Sequence, residues 1–183
     1  MVSAVNIVAS GSLSVELDLE RLANDIDGPI AHYDPDKYPG MYLRFGENGS
    51  LITVYRTGKF IISGADSEEE VYSLRERFLG LFSQMNVIEG PDDEYFDIQN
   101  YVCTGELDKN LELNTLALEL GLENTEYEPE QFHGLIYRPM DADCVLLLFA
   151  TGKVVIAGSP AMEIAENAFK EIEGRIAETD SDD

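Results

Sequence analysis

Read for apolar spacing, the chain opens with a short β-branched run, Ala4 to Ser10, that predicts a strand. Leu19, Leu22, Ala23 and Ile26 then recur at helical intervals within Leu17 to Ile26, and Gly28-Pro29 predicts the stop of that helix. Tyr33 to Phe45 reads as extended chain broken near Pro39-Gly40. The sequence GENGS at 46–50 predicts a turn, making a hairpin of Met41–Phe45 and Leu51–Tyr55, and Thr57-Gly58 turns the chain again into Lys59–Ser63. Ser67 and Glu70 have the spacing of a capping box. They open a long helix with Val71, Leu74, Phe78, Leu81, Phe82 and Met85 on one face.

The whole pattern is then written a second time. Tyr33 recurs at Tyr127, Pro35 at Pro129, Gly40 at Gly134, Arg44 at Arg138 and Lys59 at Lys153, always 94 positions on. The same offset pairs Asn6 with Asn100, Val8 with Val102 and Gly64 with Gly158, and the second copy ends in a helix carrying Ala165, Ala168, Ile172 and Ile176. A period of this length is the size of a small domain, so we expect two similar halves related by a pseudo-dyad. The expected division is a first repeat over 1–94 ending in the linker at 90–94, a second over 95–178, and an acidic tail at 179–183. Strand, helix, antiparallel strands and long helix in each half make an α+β fold.

Alternation along the strands carries the first functional clue. Phe60 and Ile62 share one face and Lys59, Ile61 and Ser63 the other; in the second half Val154 and Ile156 oppose Lys153, Val155 and Ala157. Leu146 and Leu148 likewise oppose Val145, Leu147 and Phe149, so both sheet faces are largely apolar. Two helices per half can cover only one of them. The other face either binds something large and partly apolar, or is closed by a second copy or by the tail.

Composition narrows the choice of ligand less than its distribution does. The formal charge of −24, from 36 acidic and 12 basic residues, argues at first sight against a polyanion. Yet Met41 to Gly64 sets Arg44, Arg56 and Lys59 against Glu47 alone, and Leu135 to Gly158 balances Arg138 and Lys153 against Asp141 and Asp143. The carboxylates crowd the helices, the linker and the tail, as expected of a protein kept soluble in concentrated salt. Cys103 and Cys144 show no metal or redox spacing, His32 and His133 stand far apart, and no nucleophile sits beside a base. We expect no enzyme, no metal and no cofactor. With no leader and no apolar run of membrane length, we expect a soluble, cytoplasmic protein of a prokaryotic cell, associated with the nucleoid.

The residues IQNYV at 98–102, YEPEQFHGLIYR at 127–138 and LLLFATGKVVIAG at 146–158 resemble the TATA-box-binding protein family, of archaeal and halophilic type. VNIV at 5–8, YDPDKYPGMYLR at 33–44 and ITVYRTGKFIISG at 52–64 echo them, so the resemblance covers both repeats. It implies a pseudo-two-fold saddle: a curved ten-stranded antiparallel sheet with four helices on the convex side and DNA on the concave side. The family is itself a type example of minor-groove binding by inserted apolar side chains that kink the duplex.

By position, the resemblance implies that Tyr38 with Tyr55, and Phe132 with Phe149, are the two wedge pairs. It implies that Asn6 and Asn100 meet near the pseudo-dyad and donate to base edges, and that Val8, Val102, Ile61 and Val155 pack on the groove floor. Ser63 and Ala157 stand at groove-facing positions where the family has threonine, and Thr53 where it has leucine. Arg44, Arg138, Lys59 and Lys153 would hold phosphates, and Glu128 and Glu130 would receive transcription factor B. The implied function is a basal initiation factor that binds A·T-rich double-stranded promoter DNA as a monomer, bends it, and recruits transcription factor B and, through it, RNA polymerase. Asp66 and Pro160 replace a family lysine, and both first-half wedges are tyrosine. Those departures favour the alternative of a diverged paralogue that acts mainly as a protein-interaction regulator with weak DNA binding.

Overall fold

The computed structural model describes residues 1–27, 30–46 and 49–179. The expected helix stop at Gly28-Pro29, the middle of the GENGS turn and the tail at 180–183 lie outside the described residues. Two compact units are present: Asn6–Gln99, and the chain from Asn100 onward with Met1–Val5.

In the first repeat β1 (Ser3–Ser12), α1 (Leu19–Asp25), β2 (Ala31–His32), β3 (Met41–Leu43), β4 (Leu51–Val54), β5 (Lys59–Ala65) and α2 (Glu68–Gln84) follow in order. The strands form an antiparallel sheet in the order β2-β3-β4-β5-β1. In the second repeat β6 (Tyr95–Glu106), α3 (Leu113–Leu120), β7 (Thr125–Glu126), β8 (Leu135–Tyr137), β9 (Val145–Leu148), β10 (Lys153–Ser159) and α4 (Met162–Thr179) follow the same plan, with the order β6-β10-β9-β8-β7. Among the described residues, ten antiparallel strands and four helices thus fall into two tandem α+β repeats, as the sequence period predicts.

In each repeat one face of the strands is sealed by helices. Phe60 and Ile62 are fully buried, Phe60 against Phe78 of α2 with ring centroids 4.8 Å apart; Val154 and Ile156 are equally buried. The opposite face, carrying Ile61, Ser63, Val155 and Ala157, is half-buried. A bulge interrupts β1 against β5 between Ile7 and Ala9, and another interrupts β10 against β6 between Ile156 and Ser159.

The capping signals act as expected, with one refinement. Ser67 accepts from the Glu70 N–H at 3.2 Å, while the Glu70 carboxylate reaches back to the Asp66 N–H at 3.2 Å and takes the Ser50 hydroxyl at 2.6 Å. Asp18 caps α1 by accepting from the Arg21 N–H, so that helix starts two residues later than the apolar spacing suggests. Leu81 and Met85 are only half-buried, and Leu79 takes the core position instead. The long extended stretch expected from Tyr33 to Phe45 is corrected to a turn and a short strand. The Asp34 carbonyl accepts from the N–H groups of both Lys37 and Tyr38, because Asp-Pro favours turn initiation over extension.

Candidate nucleic-acid interface

The half-buried face of each sheet is built from residues that sit opposite one another across the strands. In the first unit Tyr42 faces Thr53, Thr53 faces Ile61 and Ile61 faces Ser10. In the second, Ile136 faces Leu147, Leu147 faces Val155 and Val155 faces Thr104. The neighbouring pairs are Leu51 with Ser63, and Val145 with Ala157. Val8 and Asn6 continue this face along β1, and Val102 and Asn100 continue it along β6; all four are half-buried.

An aromatic pair stands beyond the strand ends in each unit. Tyr55 and Phe149 follow β4 and β9 directly, in tight turns closed by Gly58 and Gly152, whose φ of 85° and 89° excludes most other residues. The N–H of Tyr55 donates to the Lys59 carbonyl at 2.9 Å, and that of Phe149 to the Lys153 carbonyl at 3.0 Å. Tyr38 and Phe132 come from the loops after β2 and β7, where Asp34 and Glu128 offer their carbonyls to the turn. Neither loop has strand pairing, so both rings depend on their partners for position.

Room for each pair comes from a glycine. A Cβ at Gly134 would lie 2.7 Å from Cε1 of Phe132 and 2.9 Å from Cε1 of Phe149; at Gly40 it would lie 2.9 Å from Cε1 of Tyr38 and 2.8 Å from Cγ2 of Thr53. The sequence marks both glycines by their shared offset but gives no hint of this role. Sequence reasoning also passes over Tyr42, which stacks on Tyr38 at 5.3 Å, and His133, whose ring lies 5.3 Å from that of Phe149. Tyr42 could have been found by counting two residues on from Gly40.

The two pairs differ chemically. Phe132 and Phe149 meet edge to face at 5.9 Å. Tyr38 and Tyr55 are tilted at 6.3 Å and joined by a hydrogen bond of 2.6 Å between their hydroxyls. That bond, followed by burial, pushes the Tyr55 hydroxyl up to about 12.

Polar and charged candidates are arranged around these faces. Asn6 accepts the Gly64 N–H at 2.8 Å through Oδ1, so its amide nitrogen remains to donate. Oδ1 of Asn100 is buried and meets no donor among the described residues. Lys59 and Lys153 are exposed at the starts of β5 and β10. Arg44 is exposed and donates to the Gly49 carbonyl at 3.2 Å, whereas Arg138 is paired with Glu126 at 2.7 Å. Glu128 and Glu130 are both exposed on the turn that precedes Phe132. Such a face offers shape, apolar contact and flanking cations rather than a catalytic constellation.

Known proteins match this chain in family and fold. A family model described as transcription factor TFIID (or TATA-binding protein, TBP) matches residues 1–85 and 95–179. The chain is similar to TATA-box-binding protein C of Halobacterium salinarum, with 49% identity covering 97% of this chain and 98% of that one. It is 42% identical to the TATA-box-binding protein of Natronomonas pharaonis over 94% of this chain and 91% of that one. Among solved structures, Methanococcus jannaschii TBP matches with a TM-score of 0.83 and 36% identity, covering 97% of this chain and 98% of that one.

Proposed function

The chain belongs to the TATA-box-binding protein family, and from that premise we propose that it is a transcription initiation factor that binds A·T-rich promoter DNA through the minor groove and bends it. The observation that carries this reading is the pairing, in each repeat, of a half-buried sheet face with an aromatic pair at its end. The minor groove presents few distinguishing hydrogen-bond groups, so a smooth face reads it by fit. Val8, Ile61, Val102 and Val155 press on the groove floor, while Ser63 and Ala157 line it. Rings inserted between base steps unstack them and bend the duplex. Tyr38 with Tyr55 and Phe132 with Phe149 are the wedges, Asn6 and Asn100 donate to central base edges, and Lys59, Lys153, Arg44 and Arg138 hold phosphates. Glu128 and Glu130 form the contact for transcription factor B, through which RNA polymerase is recruited.

The hydroxyl bond between Tyr38 and Tyr55 favours a second reading, in which the first-half wedge stays closed and the protein acts through partner contacts. Energy transfer between dyes at the ends of a short A·T-rich duplex, in molar KCl, separates the two. A bend with wild type that vanishes with Phe149→Ala supports the promoter-bending factor. Absence of a bend from wild type, with transcription factor B present, moves the assignment to the interaction protein.

A further inference from the structure

We propose that the two halves of the DNA site are read unequally: the first-repeat face admits G·C pairs through hydroxyl groups, whereas the second-repeat face accepts only A·T. The inference rests on the minor-groove reading above and assigns the residues that set its sequence preference. The cross-strand row of the first unit carries Tyr42, half-buried, and Thr53, only 7% exposed, where the second has Ile136 and Leu147, and Ser63 stands where the second has Ala157. Every change between the repeats at these three places adds a hydroxyl to the first. The hydroxyls of Tyr42, Thr53 and Ser63 have no hydrogen-bond partner among the described residues.

The chemistry follows from the groove. A·T pairs offer only acceptors there, while a G·C pair adds the guanine exocyclic amino donor. Against Leu147, Ile136 and Ala157 that amine would be buried with no acceptor from these three side chains, which penalises G·C where they press on the groove. A hydroxyl both donates and accepts, so Thr53 and Ser63 can satisfy a purine N3 or pyrimidine O2 by donating and a guanine amine by accepting. Tyr42 is held by stacking on Tyr38 and so presents its hydroxyl from a fixed ring. The first half is thereby permissive rather than G·C-selective.

The test walks a single G·C pair through every position of an A·T-rich duplex and measures binding of the full chain in molar KCl. Wild type is expected to lose affinity roughly tenfold, the usual size of a mismatch effect, at positions in one half of the site and less than about threefold in the other. Thr53→Leu/Ser63→Ala, which gives the first repeat the second's pattern, should spread the tenfold penalty over both halves. The converse variant Leu147→Thr/Ala157→Ser should remove it from both and serves if the first variant fails to fold. A penalty of equal size in both halves for wild type, or profiles unchanged in both variants, overturns the inference while leaving minor-groove binding intact. If wild type fails to bind even the all-A·T duplex, the functional reading and the inference fall together.

Discussion

Arg138 donates to the carboxylate of Glu126 at 2.7 Å, whereas its counterpart Arg44 has His32 at the position equivalent to Glu126 and donates instead to the Gly49 carbonyl. The Arg138 pair is half open to water, so it is weak and can exchange for a phosphate. Glu126→Gln should free the guanidinium. DNA affinity at low KCl is expected to rise roughly threefold, and the slope of log K against log salt to steepen by about one counterion. Fluorescence anisotropy over a KCl series reads both quantities, and an unchanged slope would show that Arg138 does not hold a phosphate.

Arg75 of α2 holds Asp93 in the linker through two bonds of 2.7 Å, and its guanidinium lies 4.9 Å from the centre of the Phe96 ring. The Asp93 side chain is only 4% exposed. Arg75→Ala strands that carboxylate in the protein and is expected to destabilise by about 2–4 kcal/mol. Thermal unfolding should fall by roughly 5 °C or more for a chain of this size. Because the pair is largely removed from solvent, the loss should be similar at low and high KCl. A loss that disappears in concentrated salt would mean that the pair behaves as a surface contact.

Gly134→Ala separates the wedge from the fold. The added methyl would meet the far edges of the Phe132 and Phe149 rings, which can swing aside, rather than backbone. Unfolding temperature is therefore expected to change by only a few degrees, in keeping with less than about 1 kcal/mol of local strain. On the proposed reading, however, the ring pair is displaced from the geometry that would let it enter a base step. Duplex bending should be reduced and affinity for A·T-rich DNA should fall by roughly tenfold, the effect of losing about 1.4 kcal/mol. Full bending by the variant would show that the glycine only spaces the loop.

Much of this was legible before the structure. The offset of 94 gives two repeats, and alternation puts Phe60 with Ile62, and Val154 with Ile156, on one face, which is the fully buried one. What alternation does not supply is register. Arg138 reaches Glu126 because β7 pairs with β8 so that Glu126 lies opposite Ile136, placing Arg138 two residues further along the same face. The meeting of Tyr38 with Tyr55 depends on a loop turn and on space left by Gly40, neither of which leaves a periodic signal. The same holds for Leu79, which displaces Leu81 from the core because the stripe on α2 follows the sheet it meets rather than an ideal wheel.

The Tyr38–Tyr55 bond connects stability at high pH with the wedge role proposed for this pair. Tyr55 is pushed up to about 12, first by its hydrogen bond to Tyr38 and then by burial, whereas an unfolded tyrosine titrates near 10. The folded protein therefore holds this proton where the unfolded chain has lost it. That contribution is fully present below about pH 10 and is lost as pH rises through about 12. Tyr38→Phe removes the largest cause, so in that variant the Tyr55 tyrosinate absorbance transition should move down toward the ordinary value. On the proposed reading the same bond must part, or be carried intact, for the rings to enter a base step. Tyr38→Phe/Tyr55→Phe leaves no hydroxyl to desolvate, at about 1–2 kcal/mol, and is expected to bind and bend A·T-rich DNA several-fold more tightly than wild type. A weaker complex from the double variant would mean that the tyrosine hydroxyls themselves contact the DNA or its bound water.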